Sequence, residues 1–187
     1  MTETIITEFQ HSQDLKAYSD NVVKAGFQKE AENKYLAFYL NKKNNYFKLI
    51  QKTGGVIVIP YHEDKILLLK HYREQLNQTL YELCRGFTEP KEEFQNAALR
   101  ELKEETNFEA SYIKHLGLVH ADSGIMRDEI HVFALQITNI NDFKPELDEG
   151  VKKPVWVTLD EYHSFIKQGL ITDSMTLSGM TLFENQK

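Results

Sequence analysis

The chain of 187 residues has one cysteine, Cys84, so no disulfide can form within it. A chain of this length does not need one, because it can bury a sizeable core. A lone thiol fits a reducing compartment, and the chain is read as cytoplasmic. Long apolar runs are also missing. Even a run such as Gly55-Val-Ile-Val-Ile-Pro60 falls far short of the roughly 20 residues that cross a bilayer, so no membrane partner is expected. The opening MTETIITEFQHSQD is polar and acidic, without the basic-then-apolar order of a secretory leader. Basic residues are outnumbered: 22 Lys and Arg face 28 Asp and Glu, a net charge of −6. That removes the broad attraction behind nonspecific nucleic-acid binding. An acidic chain can still hold an anionic substrate where a cation mediates the contact. His71, His115, His120 and His131 share no spacing that suits zinc and read as ordinary strand or loop residues. Neither a Gly-x-Ser-x-Gly elbow nor a Walker loop is present.

Apolar residues make up 41 % and charged residues 27 %, ordinary values for a globular protein. There is no internal repeat or low-complexity linker. Leu15, Tyr18, Val22 and Val23 predict an amphipathic helix over 12–25, with Ser12 as its cap and Gly26 as its stop. Tyr35–Leu40 and Tyr46–Gln51 read as a hairpin across a polar turn. These elements form an N-terminal unit, residues 1–53, ahead of a main domain, residues 54–187. In the main domain, strands are expected at Val56–Pro60, Lys65–His71, Leu80–Leu83, Leu116–His120, Ile130–Ile137 and Val155–Thr158. Helices are expected at about Glu93–Thr106, Asp160–Lys167 and Asp173–Phe183, and Asn139–Lys153 reads as a long acidic loop. The pattern is α/β (α+β), with a mixed sheet sandwiched between helices.

The helix over 93–106 is unusual. Phe94, Ala97, Ala98 and Leu102 form its apolar stripe. Glu101 and Glu105 lie near the centre of that stripe, four residues apart, so one stands above the other. Glu104 sits at the edge. Carboxylates on a core-facing stripe must be neutralised, paired or bound to a cation. Arg100 can pair with only part of this charge, whereas a hard divalent cation accepts several carboxylate oxygens.

Gly86, Glu92 and Arg100-Glu101-Leu102-Lys103-Glu104-Glu105-Thr106-Asn107-Phe108 resemble the Nudix box, Gly-x5-Glu-x7-Arg-Glu-apolar-x-Glu-Glu-x-Gly-apolar. The single departure is Asn107 in place of Gly. Asn is the next best residue for the left-handed turn that ends a helix, so the helix should end there. The resemblance implies a Nudix fold and a metal-dependent phosphoanhydride hydrolase. It assigns Glu101, Glu104, Glu105 and the Arg85 carbonyl to the metal, which would be Mg2+ with Mn2+ as a substitute. It makes Arg100 the residue that orients the glutamates, and Glu92 the partner that joins loop to helix. A general base is still needed. Glu149 in Leu147-Asp-Glu-Gly150 is the first candidate and Glu129 in Met126-Arg-Asp-Glu129 the second.

The likeness extends over about residues 54–183. Ile66-Leu-Leu-Leu-Lys-His-Tyr-Arg73 and Tyr81-Glu-Leu-Cys-Arg-Gly86 resemble the ADP-ribose and nucleoside-diphosphate-sugar pyrophosphatase branch. There His71, Cys84 and Arg85 replace the usual Gln, Pro and Ala. The implied substrate is ADP-ribose or an ADP-sugar, cleaved to AMP and a sugar phosphate. The alternatives are another nucleotide substrate, such as a dinucleoside polyphosphate or NADH, or a sensing module that binds without cleaving. A sensor should have lost box acids, and none is missing. Arg73 and Arg85 are candidate phosphate contacts. Tyr35, Phe38, Tyr46 and Phe47 read as sheet packing or a dimer surface before base stacking, and the branch implies a homodimer. Cys84 reads as a buried packing residue.

Overall fold

The computed structural model describes residues 11–140, 143–145 and 151–186, with the backbone alone for 11–14, 151 and 152. It is a mixed α+β fold with two sheets. Helix α1 (His11–Lys24) is followed by strands β1 (Gln28–Glu32), β2 (Leu36–Asn41) and β3 (Tyr46–Gln51). Then come β4 (Gly55–His62), β5 (Lys65–Arg73), a 3-10 turn (Glu74–Leu76), β6 (Gln78–Glu82) and β7 (Cys84–Phe87). Helix α2 (Phe94–Thr106) leads to β8 (Ala110–Val119), β9 (Met126–Arg127), β10 (Ile130–Ile137) and β11 (Val151–Thr158). Helices α3 (Leu159–Lys167) and α4 (Ser174–Glu184) follow.

The larger sheet has the order β11-β5-β4-β10-β8, with β6 paired to β5 and β7 to β4. Strand β4 is central because both of its faces are apolar. Val56 and Val58 pack with Ala97, Ala98 and Leu102 of α2. Ile57 and Ile59 point the other way and pack with Tyr162 and Met180 of the C-terminal helices. A strand covered on both faces reads as a continuous apolar run rather than an alternation, which is why Gly-Val-Ile-Val-Ile-Pro carries no polar residue. The expected sandwich of a mixed sheet between helices is therefore present.

The sheet brings the chemistry to one end. Strand β4 pairs in parallel with β10, Gly55 opposite Ile130. On its other edge β4 pairs antiparallel with β7, with Gly55 opposite Phe87 and Val56 opposite Gly86. Residues 85–87 and 129–131 are thus fixed on either side of the start of β4. Helix α2 lies over this end, and a Cβ on Gly54 would stand 2.1 Å from the Phe94 ring.

The smaller sheet has the order β1-β2-β3-β9. Helix α1 packs on it through Val22, with Phe27, Ala37, Tyr39 and Ile50 beneath. Its fourth strand comes from far along the chain, where Met126 and Arg127 pair with Leu49 and Ile50.

Several boundaries differ from those read in the sequence. Ser12 lies within α1 rather than ahead of it. Strand β1 was not expected; every residue of Gln-Lys-Glu-Ala-Glu is exposed, so it carries no alternation, and its charges blunt a sheet edge. Strands β8 and β11 begin earlier than expected, so the acidic loop ends before Val151. Among the described residues no helix is long and apolar enough to cross a membrane.

Candidate active site

Helix α2 buries the face predicted for it: Phe94, Ala97, Ala98, Glu101, Leu102, Glu105 and Thr106. It ends at Asn107, whose backbone is left-handed at φ 67° and donates its N–H to the Lys103 carbonyl. Asn at this position does the work of Gly, and the box departure leaves the helix end intact. Glu101 is 6 % exposed and Glu105 2 %, so the acids that interrupt the apolar stripe are carried into the interior.

Arg100 is the hub of this face. Its Nη1 donates to Glu101 at 2.7 Å and to Glu104 at 2.8 Å. Its Nε and Nη2 donate to the two oxygens of Glu92, each at 2.9 Å. Nη2 also donates to the Phe87 carbonyl at 2.8 Å. Glu92 accepts in addition from the Glu89 N–H at 2.8 Å. Arg100 and Glu92 therefore fasten the loop after β7 to α2. Arg100 is shifted further upward, first by its bonds to Glu92 and then, against burial, by Glu101. Burial pushes the Glu92 carboxyl up, but Arg100 and the Glu89 N–H outweigh it and hold Glu92 below its ordinary range.

Gly86 fits this cluster through the absence of a side chain. A Cβ there would stand 2.1 Å from the carboxyl carbon of Glu101. Next to it, the Arg85 N–H donates to Glu105 at 3.2 Å. The Cys84 thiol is fully buried, and burial first, then the nearby Glu105 carboxylate, push it well above its ordinary range. It is a packing residue and not a thiolate nucleophile.

A cleft of about 270 Å3 opens beside Gly86, with Gln51, Arg73, Arg85, Phe87 and Met175 in its wall. Arg73 and Arg85 both rest on Glu82, which is 1 % exposed. Burial raises the Glu82 carboxyl, and the two guanidiniums more than reverse this, leaving it below the usual carboxylate value. Glu82 was not singled out in the sequence; its signal was an acid inside the short apolar run Leu80–Leu83.

Glu129 stands at the neighbouring strand end and contacts the buried His131 at 2.9 Å. His131 in turn meets His115 at 2.9 Å, and the Phe94 ring lies 3.8 Å from it, centroid to centroid. This chain across two strands had no signature in the sequence spacing. Glu149 lies outside the described residues. Tyr35 stacks on Phe87 of the larger sheet at 4.8 Å and 11°, and Phe38 packs against Phe47 across the β2–β3 pair at 5.9 Å.

The donor chemistry fits a hard divalent cation. Arg100 brings one positive charge to three carboxylates, those of Glu92, Glu101 and Glu104, and Glu105 adds a fourth nearby. Among the described residues no three acid, histidine or cysteine side chains aim at one common point. Glu101 and Glu104 instead converge on the Arg100 guanidinium, which acts as the counterion for both. A cation would have to draw them from Nη1.

The NUDIX domain family model matches residues 51–174. The ADP-ribose pyrophosphatase of Bacillus subtilis (strain 168) is 30 % identical over 138 residues, covering 73 % of this chain and 75 % of that protein. The methanol dehydrogenase activator of Bacillus methanolicus is 28 % identical over 149 residues, covering 79 % and 80 %. Among solved structures, an ADP compounds hydrolase superposes with a TM-score of 0.70 at 16 % identity, over 86 % of this chain and 90 % of that one. A Nudix hydrolase from Nitrosomonas europaea gives a TM-score of 0.60 at 22 % identity, over 72 % and 90 %. These two structures bear on the fold alone.

Gly86→Ala should cost about 1–3 kcal/mol and push Glu101 off Arg100. A crystal structure of that variant with the 2.7 Å bond between Arg100 and Glu101 retained would refute the packing argument. A second expectation concerns acid. Glu82 and Glu92 both sit below their ordinary value of 4.5 in the fold. Their contribution to stability is therefore complete above about pH 4.5 and is lost as the pH falls through their lowered values. Urea unfolding between pH 7 and pH 3 should show that loss, and Glu82→Gln should flatten it.

Proposed function

The chain belongs to the NUDIX domain family as a pyrophosphohydrolase, and from that premise we propose that it hydrolyses the pyrophosphate bond of ADP-ribose or an ADP-sugar, with Mg2+, giving AMP and a sugar phosphate. The observation that carries this reading is Glu101 packed against Gly86 and Glu105 held by the Arg85 N–H, with Glu104 sharing Arg100 with Glu101, next to a cleft walled by Gly86, Arg73 and Arg85. The curated ADP-ribose pyrophosphatase relative supports the substrate.

Glu101, Glu104, Glu105 and the Arg85 carbonyl would hold the metal, with Mn2+ able to replace Mg2+. When bound, such an ion lowers the pKa of water and neutralises phosphate oxygens. Arg100 holds Glu101 and Glu104 on α2 and is their counterion in this structure. Arg73 and Arg85 receive the non-bridging oxygens of the diphosphate, because guanidinium forks match phosphate geometry. Glu149 is the first choice for the base that takes the proton of the attacking water, and Glu129 the second. The contact between Glu129 and His131 engages one oxygen of that carboxylate. We further read the chain as a cytoplasmic homodimer with an N-terminal unit, residues 1–53, and a hydrolase domain, residues 54–187. A second reading, hydrolysis of a different nucleoside diphosphate compound, is favoured by His71, Cys84 and Arg85 standing where the branch usually has Gln, Pro and Ala.

Phosphate release after coupled phosphatase treatment, measured for ADP-ribose and a panel of related nucleotides, should be fastest for ADP-ribose and should vanish on chelation. Glu105→Gln should lower turnover by about three orders of magnitude while the fold persists. Wild-type turnover in that variant would remove the ligand assignment, and a panel without ADP-ribose cleavage would remove the substrate.

A further inference from the structure

The two arginines of the cleft share one anchor. Arg73 donates from Nε to both oxygens of Glu82, at 3.0 and 3.1 Å, and from Nη2 to Oε2. Arg85 donates to Oε2 from Nη2 at 3.0 Å and from Nε at 3.3 Å. Arg85 Nη2 also lies 3.4 Å from Asp173. That aspartate spends its other oxygen on capping α4, accepting from the Thr176 N–H at 2.8 Å. The Thr176 hydroxyl accepts from the Leu83 N–H at 3.0 Å, next to Glu82 in the chain. The charges of this group balance, two guanidiniums against two carboxylates. What is left over is directional: among the described residues, neither Nη1 group makes a bond, and both side chains line the cleft.

A single buried carboxylate that takes both Nε edges fixes the planes of two forks at once. Arginine arms locked before the ligand arrives lose little rotamer freedom on binding. Arg85 stands where the branch pattern has Ala, so half of this seat is a feature of this chain. We propose that Glu82 is a positioning residue that locks Arg73 and Arg85 into one two-guanidinium seat for the diphosphate of the substrate. This rests on the reading of the cleft as a diphosphate site, and it adds the source of the seat's rigidity and the extra donor that Arg85 brings. The ligand class is any nucleoside diphosphate, since the seat consists of two guanidinium forks, which match phosphate oxygens and do not select a base or sugar.

Calorimetric titration of inorganic pyrophosphate in Mg2+ tests it on the full chain, without depending on which nucleotide is cleaved. Arg85→Ala should weaken binding about tenfold, and Glu82→Gln should weaken it at least as much. The Glu82→Gln/Arg85→Ala double variant should bind no worse than Glu82→Gln, because Arg85 without its anchor has little left to lose. A role in folding alone would lower the number of binding sites per chain and leave the dissociation constant unchanged. Arg85→Lys keeps the charge beside Glu82 and should still weaken binding, for want of the fork; it stands in if Glu82→Gln does not fold. Wild-type affinity in Arg85→Ala or Arg85→Lys, effects of Glu82→Gln and Arg85→Ala that multiply independently, or a wild-type protein that does not bind pyrophosphate, would each overturn the proposal.

Discussion

Four carboxylates and one guanidinium meet on α2 and the loop just before it, and the site follows from that imbalance. Glu101 and Glu105 occupy positions that the apolar stripe would otherwise fill. Arg100 answers Glu92, Glu101 and Glu104 together. Removing Arg100 would leave these largely buried carboxylates without a counterion, at a cost of up to about 3–5 kcal/mol. The cluster is therefore intolerant of partial change, and it is suited to exchange one counterion for another. A cation that displaces the glutamates from Arg100 would free guanidinium donors as it binds.

The scaffold serves this imbalance in specific ways. Strand β4 is buried on both faces, and a one-residue slip would exchange its valines and isoleucines between two cores packed for the other set. Its pairing with β7 fixes Gly86 against Glu101, and its pairing with β10 fixes residues 129–131 at the same end. The Asn107 turn ends the helix directly after Glu105 and Thr106. A second charged group, Glu82 with Arg73 and Arg85, is organised the opposite way. There one buried acid holds two bases, and both arginines line the cleft. The acidic and basic halves meet at Arg85, whose N–H contacts Glu105 and whose guanidinium contacts Glu82.

Helix α2 and its acids were legible because a period of 3.6 and a misplaced charge are local properties. The same holds for β4, β5 and β10, whose apolar runs announce burial. Strand β1 was illegible because its residues are all exposed and polar apart from Ala31, and it is held by backbone pairing with β2 and by ion pairs of Glu30 and Glu32 with Lys42 and Lys52. Strand β9 has two residues and exists through a parallel pairing with β3, distant in the chain. Arg73 and Arg85 could be picked out as cations near the box, but not their shared anchor. Glu82 became visible only when the β5–β6 pairing set it opposite Leu69 and the site closed around it. The contacts among Glu129, His131 and His115 depend likewise on the register of β10 against β8, which shifts between Val132 and Phe133.

The central claim is that the carboxylate excess on α2 is the seat of a divalent cation. Thermal unfolding of the wild-type chain and of Glu105→Gln, followed across a Mg2+ series at constant ionic strength, tests it without reference to any substrate. A ligand that binds the folded state alone raises stability with its concentration. The wild-type melting temperature should climb as Mg2+ rises, and that of Glu105→Gln should stay level. Two curves equally indifferent to Mg2+, or equally raised by it, would contradict the claim.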